Sequence, residues 1–235
     1  MENRRISRRT LLSRGAQLAG GVAAGSLIGP GLDRPPWTLS SARVASSKST
    51  GSITIAVFEV IDTLDPGGTG LISTYQVLAN MFDPLIWYLP GHGPSDYYPG
   101  LAQSYSISSD AKTYTFKLRR DVVFHDGTPF DATAVKATFD HVVSPATHSK
   151  SAIGAIGPYK ETRIIDPYTV QVVFSQPNAA FLNEMSSPPL CISSPKALAK
   201  YGSDYGHHPV GTGPFMLKNW VQGEVVELTR NPSYA

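Results

Sequence analysis

Apolar residues recur along this chain at two periods, and from residue 53 onward the segments they mark change repeatedly between strand-like and helix-like. Ile53-Thr54-Ile55-Ala56-Val57-Phe58 is a β-branched run suited to a buried strand. Leu64-Asp65-Pro66-Gly67-Gly68-Thr69-Gly70 is dense in turn formers. From Leu71 to Phe82 the spacing of Leu71, Val77, Leu78 and Met81 fits one face of a helix. Asp83-Pro84 ends that helix, because the residue before a proline is pushed out of the helical region. Leu89 to Gly100 reads as a Pro/Gly/Tyr loop. From Lys112 to Arg119 the alternation is strict: Tyr114, Phe116 and Leu118 share one face and Thr113, Thr115, Lys117 and Arg119 the other, which predicts a half-buried strand.

After a turn at His125-Asp126-Gly127-Thr128-Pro129, Asp131 is placed to cap a helix running to about Val143, with Val135, Phe139 and Val142 on one face. Ser144-Pro145 stops it. Thr162 to Ile165 and Thr169 to Phe174 flank Asp166-Pro167 as a strand pair, with Val170, Val172 and Phe174 on the buried side. Short helices follow around Ala179 to Met185 and from Pro195 to Tyr201, the second with proline in its first turn. Phe215 to Trp220 and Val225 to Arg230 form a hairpin about Gln222-Gly223. The pattern is α+β with several short antiparallel sheets, and the body contains no internal repeat.

Composition fits this picture, since 41% hydrophobic and 10% aromatic residues in 235 suffice for a real core. Charge divides it. Up to Ser49 eight basic residues face two acidic ones, a net of +6; from Thr50 on, twelve basic and sixteen acidic residues give −4. An acidic body does not attract phosphate backbones, so nucleic acid is not an expected partner. The basic end has its own explanation: Ser7-Arg8-Arg9-Thr10-Leu11-Leu12 resembles the twin-arginine export signal. The weakly apolar stretch Ala16 to Gly29 behind it is shorter than the ~20 residues a membrane helix needs and is interrupted by glycine. A membrane anchor or a basic nucleic-acid-binding arm is the alternative. Small residues at Ser40-Ser41-Ala42 and Ala45-Ser46-Ser47 offer two cleavage sites. Cys191 is the only cysteine, far from the leader, so the mature protein is expected to be free of a lipid anchor.

Three segments in order resemble the family 5 extracytoplasmic solute-binding proteins, the peptide- and nickel-binding components of ABC importers. The first is Ile53 to Phe58 followed by Thr63-Leu64-Asp65-Pro66. The second is Tyr98-Pro99-Gly100-Leu101-Ala102, then Tyr114 to Arg119, then Val123-Phe124-His125-Asp126-Gly127-Thr128-Pro129-Phe130. The third is Pro209-Val210-Gly211-Thr212-Gly213-Pro214-Phe215, closed by Arg230-Asn231-Pro232-Ser233-Tyr234. One departure is Ala134, where the family usually has an acidic residue; its loss is expected to weaken the helix start by ~0.3–1 kcal/mol.

The resemblance implies a periplasmic-binding-protein-like (type II) N-terminal lobe with an inserted subdomain, and it implies that the second lobe is missing from this chain. The expected layout is leader and linker over 1–48, the first lobe's first segment over 49–85, the inserted subdomain over 86–188 and the return to the first lobe over 189–235. It also implies a periplasmic or extracellular monomer that traps an oligopeptide or similar solute between lobes closing about a hinge and delivers it to membrane permease subunits. Chelated nickel, an oligosaccharide or a non-binding remnant are the alternatives. Thr69, Gly70, Leu71 and Ile72 match the segment that faces the ligand cleft, and their glycine suits close backbone approach as well as it suits a plain turn.

No cofactor and no catalytic residue are implied. Gly127 and Gly213 sit where a turn needs positive φ or close backbone approach, and His125-Asp126 reads as a hydrogen-bonded turn with no nucleophile in view. An exported hydrolase would show a Gly-x-Ser-x-Gly elbow or a His-Glu-x-x-His helix, and neither occurs. Cys191 reads as a small buried hydrophobe. A protein-held metal is not expected either: His207 and His208 would point to opposite faces of an extended segment, and Pro145 separates His141 from His148. A purely adhesive domain would have no cleft.

Overall fold

The computed structural model describes residues 51–91 and 96–234; the segment 1–48, expected from sequence to be a twin-arginine leader and linker, lies outside them. The chain divides between Ile53 and Thr54, and every element named below belongs to the unit beginning at Thr54. The expected first strand is not formed: Ile55 and Phe58 stand 77% and 78% exposed, and no sheet among the described residues includes the run. β-branched residues suit a pleated surface, but a strand needs a neighbour to complete its ladder, and the described residues supply none.

Helix α1, Ile72–Met81, turns its buried side chains Ser73, Thr74, Leu78 and Met81 inward, while Leu71 and Val77 are only half-buried. Strands β1, Ile86–Tyr88, and β2, Tyr97–Pro99, pair antiparallel, so a hairpin stands where the composition suggested only a loop. Strand β3, Ala102–Ile107, buries Ala102 alone completely and so shows no alternation to read. In β4, Thr113–Leu118, the buried side chains are Tyr114, Phe116 and Leu118, the face the alternation predicts.

Helix α2, Ala132–Val143, starts where Asp131 Oδ1 accepts the Thr133 N–H at 2.8 Å and buries Val135, Phe139 and Val142. Ala134 is fully buried in the same core, so its contribution is volume rather than a missing dipole charge. After Pro145 the chain makes a 3-10 turn and a short helix α3, Ala152–Ile156, that no periodicity announced. Strands β5, Tyr159–Asp166, and β6, Thr169–Phe174, form the expected hairpin. Helices α4, Phe181–Glu184, and α5, Pro195–Tyr201, follow; Pro195 opens the latter and Ser194 Oγ caps it. Strands β7, Phe215–Val221, and β8, Val225–Arg230, pair about Gly223.

Four strands make one antiparallel sheet in the order β3-β4-β6-β5. Of its two inner strands, β6 is buried along its length apart from half-buried Gln171, and α2 packs against it. Phe181 of α4 closes that core, with its ring 4.7 Å from Phe174 and 5.1 Å from Tyr114, centroid to centroid. A second cluster gathers Ile61, Leu64, Leu78, Met81, Phe82 and Cys191, with Trp220 and Leu228 of the β7-β8 hairpin against it. Cys191 is 3% exposed, a buried small hydrophobe as the sequence indicates.

Candidate functional site

Two acidic residues before the loop at 69–72 fix its path. Asp65 bends the chain back on itself: its Oδ1 accepts the Gly67 N–H at 2.9 Å and its Oδ2 meets His141 Nε2 of α2 at 2.7 Å. Asp62 gathers three donors on Oδ1, the Thr63 N–H (2.9 Å), the Thr69 hydroxyl (2.8 Å) and the Thr74 hydroxyl (3.2 Å). Its Oδ2 holds Lys150 Nζ at 2.8 Å. Burial opposes ionisation of Asp62, but the Lys150 ammonium with the Thr69 and Thr74 bonds outweighs it and holds the carboxyl below its ordinary range.

The four residues singled out from sequence then separate into two kinds. Thr69 is buried, with its side chain and carbonyl engaged: its Oγ1 donates to Asp62 and accepts the Leu71 N–H at 3.1 Å, and its carbonyl accepts from the Tyr75 hydroxyl (2.9 Å) and from Ser151 Oγ (3.1 Å). Gly70 and Ile72 are exposed, Leu71 is half-buried, and the N–H groups of Gly70 and Ile72 have no acceptor among the described residues. Helix α1 begins at this point without a capping side chain of its own. Its Ser73 N–H is met instead by Glu59 Oε2 at 3.1 Å. Asp62, Tyr75, Lys150 and Ser151 carry no signature in sequence; they are neighbours only because the fold joins segments 76 to 88 positions apart. Beside the loop, a recess of about 360 Å³ opens between Tyr75 and the segment from Ser151 to Gly157.

The motif His125-Asp126-Gly127 is a brace. His125 Nδ1 accepts the Gly211 N–H (3.3 Å), and Nε2 lies 3.0 Å from the Gly213 carbonyl, so the ring is held as the neutral tautomer with its proton on Nε2. Burial pushes its pKa down. Asp126 Oδ1 accepts from the Thr128 N–H (3.0 Å) and hydroxyl (2.5 Å), and Oδ2 from Ser194 Oγ (2.9 Å). Gly127 has φ +77°. Gly213 is needed for approach instead: a Cβ there would lie 2.5 Å from the Met81 carbonyl carbon.

The expectation for His207 and His208 requires correction. Residues 202–207 form a 3-10 helix rather than an extended segment, so both rings reach one carboxylate: His207 Nδ1 lies 2.8 Å and His208 Nε2 3.3 Å from Asp204. Among the described residues no group of three or more His, Cys, Asp or Glu side chains is placed to hold a metal, and no helix is long and apolar enough to cross a membrane.

This α+β fold is shared by solved structures of periplasmic binding proteins. The chain superposes on MoaA of A. tumefaciens R10, a binding protein in complex with mannopinic acid, with a TM-score of 0.67 and 28% identity, covering 75% of this chain and 36% of that one. The substrate-binding domain of an oligopeptide ABC transporter from Bacillus anthracis gives 0.66 and 25%, over 74% of this chain and 36% of that one. Residues 96–235 match the bacterial extracellular solute-binding proteins, family 5 (middle), and the chain belongs to that family. The glutathione-binding protein GsiB of Salmonella paratyphi A is 43% identical over 137 residues, which are 57% of this chain and 26% of that relative. The chain thus spans about a quarter of the curated relatives it matches.

Proposed function

We propose that this protein is the substrate-binding component of an ABC importer for short peptides, exported by the twin-arginine route and acting as a monomer that hands its solute to membrane permease subunits. The observation that carries the reading is the loop at 70–72. Two backbone N–H groups there lack acceptors among the described residues, on a segment pinned from behind by Asp62, Thr69, Tyr75 and Ser151. Such donors suit the carbonyl and carboxylate oxygens of a peptide backbone, and a pinned loop loses little entropy on binding. Family membership and the glutathione-binding relative support the solute class. Thr69 in this reading positions the loop, and Gly70, Leu71 and Ile72 meet the solute. The expected layout of lobe, inserted subdomain over 86–188 and return segment is part of the same proposal.

A melting-temperature screen of the full-length protein tests it, using short peptides, chelated nickel and oligosaccharides as separate sets. A peptide present at about 100 times its Kd adds about 2.7 kcal/mol of stability. Stabilisation by none of the three sets contradicts a binding function, and stabilisation by another set alone contradicts the peptide.

A further inference from the structure

Lys150 and Ser151 reach the loop from a segment that is itself fixed. Directly after them, helix α3 buries Ala152 and Ile156 completely in the core of the four-stranded sheet. Ser151 holds the loop through the Thr69 carbonyl, at 3.1 Å. Lys150 holds it through Asp62, with Nζ 2.8 Å from Oδ2. On the way its stem crosses Gly70: a Cβ at Gly70 would lie 3.4 Å from Lys150 Cβ and 3.8 Å from its Cδ. Alanine there would just touch the stem, and a longer side chain would displace it. The glycine therefore has a use besides close approach to a solute, since it leaves the lysine a path to Asp62.

What the ammonium does follows from the carboxylate it meets. Asp62 Oδ1 gathers the Thr63 N–H and the hydroxyls of Thr69 and Thr74, and Thr69 Oγ1 in turn accepts the Leu71 N–H. Three donors converge best on an ionised oxygen, and an ammonium on the other oxygen favours that charge and keeps the carboxylate from turning. The Lys150 side chain is 59% exposed and that of Asp62 24%, so the pair adds little to global stability. Its effect is local. We propose that Lys150 is a positioning residue for solute binding, a strap that runs over Gly70 to Asp62 and holds the 69–72 loop in its binding shape, acting through Asp62 and not on the solute. The proposal rests on the reading that this loop meets the solute, and it adds that the loop's order is set from the segment before α3.

The test uses three substitutions in the full-length protein. Lys150→Met keeps the stem and removes the charge, Lys150→Arg keeps the charge, and Asp62→Asn keeps Oδ1 as an acceptor and removes the anion. Two quantities are read: hydrogen exchange at the Leu71 amide without ligand, and the Kd for trialanine and for glutathione by titration calorimetry. The strength of a half-exposed ion pair corresponds to at most about fivefold in an equilibrium constant. Lys150→Met is expected to speed Leu71 exchange by about three- to fivefold and to raise Kd by the same factor, at a Tm within about 2 °C of the parent. Asp62→Asn is expected to have at least that effect, adding Lys150→Met to it to change nothing further, and Lys150→Arg to behave as the parent. Parent-like exchange and affinity in Lys150→Met, or faster exchange at an unchanged Kd, overturns the positioning role and leaves the peptide reading standing. A raised Kd with unchanged exchange places Lys150 on the solute itself and also overturns it, as does a further loss in the double variant. A parent that binds neither probe overturns the peptide reading, while exchange at Leu71 still decides whether Lys150 orders the loop.

Discussion

Replacing Asp65 by alanine removes the contact that ties the turn before the site to helix α2. The side chains of Asp65 and His141 are 10% and 19% exposed, and the carboxylate holds both the Gly67 N–H and His141 Nε2. Leaving a hydrogen-bonding group without its partner costs ~1–3 kcal/mol, and Asp65 serves two such groups, the Gly67 N–H and His141 Nε2, which puts the loss at about 3 kcal/mol. A folded unit of this size loses about 2–4 °C in Tm per kcal/mol, which puts the shift at about 6–12 °C. Urea unfolding of the parent, Asp65→Ala, His141→Ala and the double variant then gives the coupling, expected at about 1.5–3 kcal/mol. A Tm within about 2 °C of the parent, or single effects that add to within about 0.5 kcal/mol, refutes the clamp.

Other expectations concern the brace and the proposed twin-arginine route. Gly213→Ala forces a methyl group into the Met81 backbone and is expected to destabilise by about 3 kcal/mol. Gly127→Ala, with open space but φ +77°, is expected to lose only about 1–2 kcal/mol, and paired urea midpoints compare them. Because burial lowers the folded-state pKa of His125, the stability it contributes is full above its unfolded value near pH 6.5 and is lost as pH falls below that. Urea unfolding from pH 7 to 5 is expected to show this loss and His125→Asn to reduce it; an identical slope in the variant contradicts the assignment. Replacing Arg8 and Arg9 together by lysine is expected to leave the protein in the cytoplasm, read by cell fractionation.

What could be read in the sequence is what depends on neighbours a few residues away. Asp131 lies two residues before the N–H it caps, Tyr114, Phe116 and Leu118 alternate within one strand, and Gly223 sits between its two strands. What could not be read depends on distant partners. The 53–58 run has the right side chains for a strand, but the partner decides, and none of the described sheets provides one. Strand β3 lies at a sheet edge and has little apolar face to show. The loop at 69–72 was legible as a candidate through its glycine and its place after Leu64-Asp65-Pro66. The division of labour within it was not, since Thr69 is consumed by Asp62, Tyr75 and Ser151, groups with no common motif.

The most direct test of the central claim is hydrogen exchange at single-amide resolution, with and without a saturating peptide. Slowed exchange at the Gly70 and Ile72 amides, with the amides of the His125-Asp126-Gly127 turn unchanged, is the predicted result. Unchanged exchange at 70–72 under saturation by a bound peptide would place the solute elsewhere and contradict the account.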